Sequence, residues 1–243
     1  MHKLLLPCSM LLSVAAMAQE APAGHQSAKP SRWQIGLNVS PQINYRLLRA
    51  NPGDHGSDII TESRNQIEIP RPQYTAGVSL GYQLNEHISL NSGLQYSNWG
   101  GQTNKRRDLI YAFPNPALPT QVSMLYNINY LILPATVNVT FGHKRLKFTA
   151  GAGLNAMYLL REQTKQSLFY ASGETETETA SASYYRKFNL AAQLSAGVDY
   201  ALNEKVHLKL EPIFRFAVIK SNDAPVKENL YNYGLNIAAY WKI

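Results

Sequence analysis

Cysteine is nearly absent from this sequence of 243 residues, which contains only Cys8. That residue lies in an N-terminal segment with the features of a secretory signal: Lys3 near the start, an apolar run from Leu4 to Val14, and a final Ala-Met-Ala. We therefore predict that residues 1–18 are a signal peptide cleaved near Ala18. The mature chain then has no cysteine, which excludes disulfide bonds and metal sites with cysteine ligands.

Long hydrophobic runs are missing as well. The apolar run of the signal segment is shorter than the roughly 18–20 residues that a transmembrane helix needs. No later segment approaches that length, so the mature chain is predicted to have no transmembrane helix. Residues 19–31 are small, polar and proline-containing, which predicts a flexible periplasmic lead-in to a single domain at residues 32–243.

Acidic residues are outnumbered by basic ones. Loss of Lys3 with the signal segment leaves 22 basic against 16 acidic residues, a net charge of +6. This balance suits a protein beside an anionic surface. No nucleic-acid-binding motif accompanies the charge, so we expect no nucleic-acid partner.

Helical periodicity of useful length is also absent, and strict two-residue alternation recurs instead. This pattern predicts an all-β protein with eight strands. The predicted strands are Trp33–Leu47, Tyr74–Leu84, Ile88–Tyr96, Tyr126–Phe141, Leu146–Leu160, Phe188–Leu202, Val206–Val218 and Tyr231–Ile243.

The links between the predicted strands alternate in length. Three are tight turns, at residues 85–87, 142–145 and 203–205. The others are long and lie near residues 48–73, 97–125, 161–187 and 219–230. Short periplasmic turns and long extracellular loops are typical of outer-membrane barrels. The sequence therefore predicts an eight-stranded antiparallel transmembrane β-barrel.

The two faces of the predicted strands differ in composition. One is apolar, has no charged residue and carries aromatic side chains near the strand ends, as membrane barrels do. The other is polar and holds every strand glycine, for example Gly36, Gly93 and Gly153. Glycine weakens a solvent-exposed strand but leaves room inside a narrow barrel. We therefore expect the apolar face outside, against lipid; the alternative is a soluble, lipocalin-like barrel with that face inside.

Two segments carry a family resemblance. The first is Tyr130–Leu160, with the sequence YLILPATVNVTFGHKRLKFTAGAGLNAMYLL. It begins with a strand similar to the pattern Y-L-x-I-P but departs from it before Pro134, and a basic turn and a G-x-G strand follow. LEPIFRF (Leu210–Phe216) has the form of a penultimate strand. The chain resembles the PorT-like outer-membrane β-barrel family of Bacteroidota-type bacteria. The resemblance implies an outer-membrane barrel, and the family's namesake belongs to a protein-secretion apparatus, so an accessory role in secretion is an alternative function.

Charged residues on the inward face are predicted to form a buried network, because a buried carboxylate is tolerated only when it is paired. This network comprises Arg46, Asp199, Lys209, Glu211 and Arg215. Side chains fill an eight-stranded barrel, so we predict no open pore; the alternative is a narrow polar conduit. The apolar positions change from even to odd numbers around Pro134, which predicts a β-bulge there.

The long loops carry basic residues that are predicted to contact the phosphates of outer-membrane lipid, including lipopolysaccharide. These residues are Lys105, Arg106, Arg107, Arg186 and Lys187. Three acidic residues, Glu174, Glu176 and Glu178, share one side of an extended strand, which suits either a divalent ion or a solvated hairpin tip.

Catalytic constellations are scarce. His55, beside Asp54 and Asp58, is the one histidine predicted on the outer side, and no strand places a serine beside it. A lipid-modifying enzyme therefore stays only as an alternative. We predict no catalytic residue, no cofactor and no bound metal.

The C-terminal strand alternates to its last residue. Trp241 and Ile243 are predicted to form the signal that barrel-assembly machinery reads, or else a simple girdle strand. The sequence thus favours a non-enzymatic outer-membrane protein with a structural or surface-interaction role through its extracellular loops. Its expected partners are outer-membrane lipid, the assembly machinery and, in the alternative function, subunits of a secretion complex.

Overall fold

The computed structural model describes residues 32–104, 107–113, 115–142, 144–181, 184–222 and 224–243. The predicted signal peptide and lead-in lie outside the described residues, as do Lys105 and Arg106.

Within these ranges the chain forms one antiparallel sheet of twelve strands and one helix. Each predicted strand overlaps one of eight long strands, and most bounds agree to within four residues. The strand predicted from Tyr126 begins five residues earlier, at Gln121, and the strand predicted to end at Leu160 continues nine residues further, to Phe169. The long strands are β1 (Trp33–Arg49), β3 (Arg71–Gln83), β4 (Ile88–Trp99), β7 (Gln121–Phe141), β8 (Leu146–Phe169), β10 (Phe188–Ala201), β11 (Val206–Ala217) and β12 (Lys227–Lys242). The prediction of eight strands is incomplete, because the long links add β2 (Glu68–Ile69), β5 (Gln102–Thr103), β6 (Arg107–Asp108) and β9 (Thr175–Ser181).

Hydrogen bonding links the strands in the order β2-β5-β7-β4-β3-β1-β12-β11-β10-β8-β9, with β6 beside β7 and a further pairing between β7 and β8. Every long strand is therefore paired along both of its edges. The three tight turns lie at one end of the sheet, which we call the short-turn end. There the backbone N–H of Ile243 donates to the carbonyl of Trp33 at 3.1 Å, so the first and last strands meet. The opposite end is the long-loop end.

Burial alternates along the long strands with the period of a pleated sheet. On β1 the odd-numbered residues, such as Leu37, are largely exposed, whereas the even-numbered ones, such as Asn44, are buried. On β10 Leu194 is 59% exposed beside the half-buried Gln193. The structure therefore exposes the apolar face of the strands and encloses the polar one.

The enclosed face is not polar throughout, contrary to our expectation. Near the long-loop end it carries an apolar cluster of Trp99, Ile128, Tyr130, Ile132, Met157, Ala191, Ala217 and Leu230. The β-bulge predicted at Pro134 is also wrong, because the register irregularity between β7 and β8 lies between Asn129 and Tyr130. Around Ile132 both faces of β7 are apolar, so alternation alone cannot tell which side faces inward.

One glycine shows why the enclosed face needs small residues. A Cβ on Gly36 would lie 2.5 Å from the ring of Tyr240, which covers this stretch of β1 from the neighbouring β12. Tyr240 in turn stacks on His207 of β11 with ring centroids 5.3 Å apart. The absence of a side chain at Gly36 thus lets a large aromatic ring fill the interior.

The helix α1 (His55–Ile67) lies in the first long link, where no helix was predicted. Its N-cap is Asp54, whose side chain accepts a hydrogen bond from the backbone N–H of Gly56 at 3.0 Å. The helix presents Ile59 and Ile60 to the exterior, so its sequence lacks the apolar stripe that periodicity detects. No helix within the described ranges is long and apolar enough to span a membrane.

Candidate functional site

A buried ionic cluster closes the long-loop end of the sheet. We call it the mouth cluster, and its members are Arg46, Arg64, Glu68, Tyr185 and Glu228. Arg46 lies on β1 and Glu228 on β12, whereas Arg64 and Glu68 come from the end of α1 and the start of β2. Tyr185 comes from the link before β10. The cluster therefore joins two neighbouring strands of the wall to two of the long loops.

The two carboxylates alternate with the two guanidinium groups. Glu68 accepts hydrogen bonds from Nε of Arg46 at 2.6 Å and from Nε of Arg64 at 2.7 Å. Arg64 also donates from Nη2 to Glu228 at 3.2 Å. The Tyr185 hydroxyl donates to the second oxygen of Glu228 at 2.8 Å. The formal charges of the four ionic members cancel.

Burial makes this pairing obligatory. Glu228 is 2% exposed, Glu68 4% and Arg46 6%. An isolated charge in such surroundings is strongly unfavourable, whereas a paired and hydrogen-bonded one is tolerated. Burial, followed by the charge of Glu228, raises the pKa of Tyr185 well above its usual range. The hydroxyl therefore stays protonated and keeps its role as a donor.

A second carboxylate fixes the backbone beside Tyr185. Glu162 on β8 accepts hydrogen bonds from the backbone N–H groups of Tyr184 and Tyr185 at 3.0 and 3.1 Å. Tyr185 also forms a β-bridge with Asn222 in the last long link. Three of the four long links thus converge above the enclosed face.

The five residues predicted to form the lumen network lie in separate groups. Arg46 belongs to the mouth cluster at the long-loop end. Lys209 and Glu211 form an ion pair of 2.8 Å on β11, and both are buried. Arg215 donates to two glutamine side chains, on β10 and β1, at 3.0 and 3.1 Å. Asp199, half-buried near the short-turn end, lies 2.9 Å from Nδ1 of His207.

The enclosed space is filled in layers. Around Lys209, Glu211 and Arg215 a polar cavity of about 30 Å³ remains, which is room for about one or two water molecules. Above it lies the apolar cluster, whose large side chains come mainly from β4, β7 and β8 and which β10, β11 and β12 complete, and the mouth cluster covers that layer. Among the described residues, polar, apolar and ionic side chains therefore succeed each other from the short-turn end to the long-loop end.

Sequence reasoning missed four members of the mouth cluster. Arg64 and Glu68 have the spacing of an i, i+4 ion pair, but the helix that brings them together was not foreseen. Glu228 lies three residues before the predicted start of the last strand. Continuing the alternation of that strand backwards from Asn232 places Glu228 on the inward face, so this signal was available.

The predicted outer contacts are exposed where they are described. Arg107 lies on β6, and Arg186 and Lys187 directly precede β10. At the other end, Trp241 is half-exposed as the last outward residue of β12, and Ile243 is exposed beyond it.

The candidate catalytic histidine lies in a structural motif. His55 is the first residue of α1 and is exposed, and its acidic neighbour Asp54 caps that helix. Ser57 is buried, and its hydroxyl donates to the carbonyl of Asp54 at 2.8 Å. Both neighbours thus have roles in the helix N-terminus.

The acidic loop forms the exposed strand β9, which pairs with β8. Glu176 accepts a hydrogen bond from the hydroxyl of Tyr170 at 2.9 Å, and Glu174 accepts one from Ser172 at 3.3 Å. Across the described residues, no group of three or more His, Cys, Asp or Glu side chains is arranged to hold a metal ion.

The chain matches one protein family and is similar in fold to several solved structures. The family model described as "Outer membrane protein beta-barrel domain" matches residues 17–223. The comparison with curated proteins returned no match. Among solved structures, the chain is similar to Neisserial surface protein A, with 14% identity, a TM-score of 0.46 and coverage of 89% of this chain and 100% of that one.

Two further similar structures are also bacterial proteins. The outer membrane protein OprG from Pseudomonas aeruginosa has 11% identity and a TM-score of 0.43, with 88% of this chain and 98% of that one covered. Ail, the attachment invasion locus protein of Yersinia pestis, has 10% identity and a TM-score of 0.35, with 84% and 97% covered. At these values the similarity carries no information about function.

Proposed function

Because the chain belongs to the outer membrane protein β-barrel domain family, we propose that it forms a closed eight-stranded barrel in the outer membrane and acts, without enzymatic activity, through its extracellular loops. In this proposal the long-loop end faces the cell exterior and residues 1–18 are removed as a signal peptide. The segment Tyr130–Leu160 supports a PorT-like member of the family.

Two observations support a closed barrel in lipid. Each of the eight long strands is paired on both edges. The order of the long strands runs from β7 to β8, and the pairing of β7 with β8 joins the two ends of this order. Hydrocarbon requires such closure, because unpaired backbone groups have no water there to bond. The exposed alternate positions are apolar, as a lipid-facing wall requires.

The layered interior supports a barrel without an open pore. A conduit would need a continuous polar path, whereas the apolar cluster interrupts the polar one and the mouth cluster covers both. We therefore propose that Lys209, Glu211 and Arg215 stabilise the interior rather than guide a solute.

The observation that carries the functional proposal is the mouth cluster. Its ion pairs hold α1 and the start of β12 on the barrel mouth, and the hydrogen bond from Tyr185 to Glu228 holds the link before β10 there. Loops held in this way form a defined surface, which costs less conformational entropy on binding than mobile loops do. This arrangement suits a protein whose outer surface contacts another molecule.

The geometry around His55 supports the absence of catalysis, since its acidic and serine neighbours are used at the helix N-terminus. For the other end, we propose that Trp241 and Ile243 are read by barrel-assembly machinery. Trp241 is half-exposed at the end of β12 and Ile243 is exposed directly after it, so both are accessible to a partner.

Site-directed photo-cross-linking on intact cells tests the proposal. A cysteine-linked probe at Thr177, in the exposed β9, should give adducts with an outer-surface partner, and a probe at Glu204, in a tight turn, should not. The mature chain has no other cysteine, so each probe reports one place. A stoichiometric adduct with an export subunit would favour the secretion role, and adducts from Glu204 alone would overturn the proposed surface role.

A further inference from the structure

Three basic residues meet on the outward side of the long-loop end. Arg49 is the last residue of β1, Lys227 is the first residue of β12, and Lys220 lies between β11 and β12. We call these three residues the rim patch. Arg186, at the end of the link before β10, is their neighbour.

The backbone register brings the rim patch together. Arg49 and Lys227 are directly opposite each other in the β1–β12 pairing. The N–H of Ser221, the residue after Lys220, donates at 2.7 Å to the carbonyl of Glu228, the residue after Lys227, so the two lysines lie on neighbouring segments. The N–H of Arg186 donates to the carbonyl of Ser221 at 2.8 Å. Two neighbouring strands and two links at this end thus each contribute one cation.

The cations act on one another. The charge of Lys227, followed by desolvation, a side-chain contact with Lys227 and the charges of Arg186 and Arg49, lowers the pKa of the exposed Lys220. Among the described residues, no carboxylate forms an ion pair with Arg49, Lys220 or Lys227. Like charges held this close are unfavourable unless an anion lies between them.

The surroundings of the rim patch are apolar and aromatic. Val218 and Ile219, immediately before Lys220, are both exposed. Further along the outward wall, Tyr231 contacts Tyr45 edge-to-face with ring centroids 6.0 Å apart and lies 6.2 Å from Phe214. Towards the long-loop end, the apolar wall is therefore followed by aromatic rings and then by the cations. This is the order of the acyl chains, the interface and the headgroups in a lipid leaflet.

We propose that the rim patch binds the phosphate groups of a lipid of the outer leaflet, with the acyl chains of that lipid lying along the apolar wall. A lipid fits better than a free phosphate because the cations face outward, directly above exposed apolar side chains. The inference rests on the proposed orientation of the barrel. It assigns a lipid role to Arg49, Lys220 and Lys227, which sequence analysis did not single out.

The test compares two double variants that each remove two lysine charges. Lys220→Gln with Lys227→Gln alters the rim patch. The control, Lys205→Gln with Lys242→Gln, alters two exposed lysines at the short-turn end, where the N–H of Lys242 donates to the carbonyl of Lys205 at 2.8 Å. Each barrel is reconstituted in phosphatidylcholine nanodiscs with diphosphorylated lipid A, and the lipid A retained after detergent extraction is measured by native mass spectrometry.

We expect the rim-patch variant to retain lipid A about thirtyfold more weakly than wild type, since each of the two lysines near an anionic headgroup contributes about 1 kcal/mol. The control variant should match wild type. Without lipid A, in zwitterionic detergent, the rim-patch variant should unfold at the same temperature as wild type or higher, because a repulsion is relieved. A single Lys220→Gln variant, with an intermediate loss, keeps the test valid if the double variant folds poorly.

Two results would overturn the inference. Equal retention by the two double variants would remove the lipid site, and full displacement of lipid A by inorganic phosphate would make it a free-phosphate site. A barrel that fails to insert into a bilayer, or inserts with Thr177 on the wrong side, contradicts the proposed function instead. The two failures are therefore distinguishable.

Discussion

Glu68 is the residue whose change tests the mouth cluster most directly. Its carboxylate accepts hydrogen bonds from Arg46 at 2.6 Å and from Arg64 at 2.7 Å. The substitution Glu68→Gln keeps the volume and one acceptor oxygen but removes the charge. Arg46, 6% exposed, then has a buried guanidinium without its anionic partner, whereas Arg64 keeps Glu228.

The expected loss follows from this difference between the two arginines. Removing one partner of a buried pair typically costs about 3–5 kcal/mol, because the remaining charge stays buried. The Gln side chain offsets part of the loss, so we expect about 3 kcal/mol. At a urea slope of about 3 kcal/mol per molar, this loss moves the unfolding midpoint by about 1 M.

The assay is urea unfolding of the refolded barrel in lipid vesicles, with a matched control in the same helix. Glu62 is exposed on α1 and accepts a hydrogen bond from Gln66 at 2.8 Å. The substitution Glu62→Gln therefore removes the same charge without stranding a buried partner, and its cost should stay within about 0.5 kcal/mol. Hydrogen exchange of α1 should increase in the Glu68 variant alone, since its anchor is weakened.

A double variant separates the cost of the stranded charge from the value of the pair. Adding Arg46→Met to Glu68→Gln removes the unpaired guanidinium, and we expect it to restore more than half of the lost stability. Equal midpoints for Glu68→Gln and Glu62→Gln would refute the reasoning, because Glu68 would then be solvated and the loops would not be anchored through it.

Three further predictions concern the faces, the orientation and the interior. Leu194 is an outward residue that is 59% exposed, and Leu194→Arg should lower the free energy of unfolding in a bilayer by about 2–4 kcal/mol. The control Leu194→Met should be nearly neutral. Equal stabilities of the two variants would mean that this face does not meet lipid. Thr177→Cys should react with an impermeant thiol reagent on intact cells and Glu204→Cys should not, and the reverse labelling would invert the topology. Glu211→Gln, which strands Lys209 at 2.8 Å, should lower the urea midpoint more than Glu174→Gln in the exposed loop, and matching midpoints would indicate a solvated interior.

The strands were predictable because their two faces meet different surroundings. Burial alternates along β1 and along β12 from Leu230 to Trp241, and a shift of one residue would expose the inward polar side chains. The same signal is lost where both faces are apolar. Around Tyr130 the inward residues form a core cluster and the outward ones are also hydrophobic, so the predicted bulge was put at the wrong place.

The site was less predictable because it is built from long-range pairs. Arg46 was expected to be buried, but its partner Glu68 lies across a helix whose formation depends on an Asp54 cap and on tertiary contacts rather than on periodicity. The predicted lumen residues were treated as one network because they share a face. The sheet register sets how far each residue lies from the short-turn end, and this distance determines which side chains are in contact. A single sequence does not show the register.

The hairpin of β7 and β8 is much longer than a bilayer requires. β8 has 24 residues, which at about 3.3 Å each and a tilt of about 40° gives a height of roughly 60 Å, more than twice the apolar band of a membrane barrel. In the proposed orientation the far end, with β9 paired to it, stands roughly 30 Å clear of the hydrocarbon. Every residue of β9 is exposed, so its sequence is not constrained by packing. Substitutions in this protruding part therefore cost little folding stability, so the tip can diversify in sequence while packing constrains the wall and the mouth cluster.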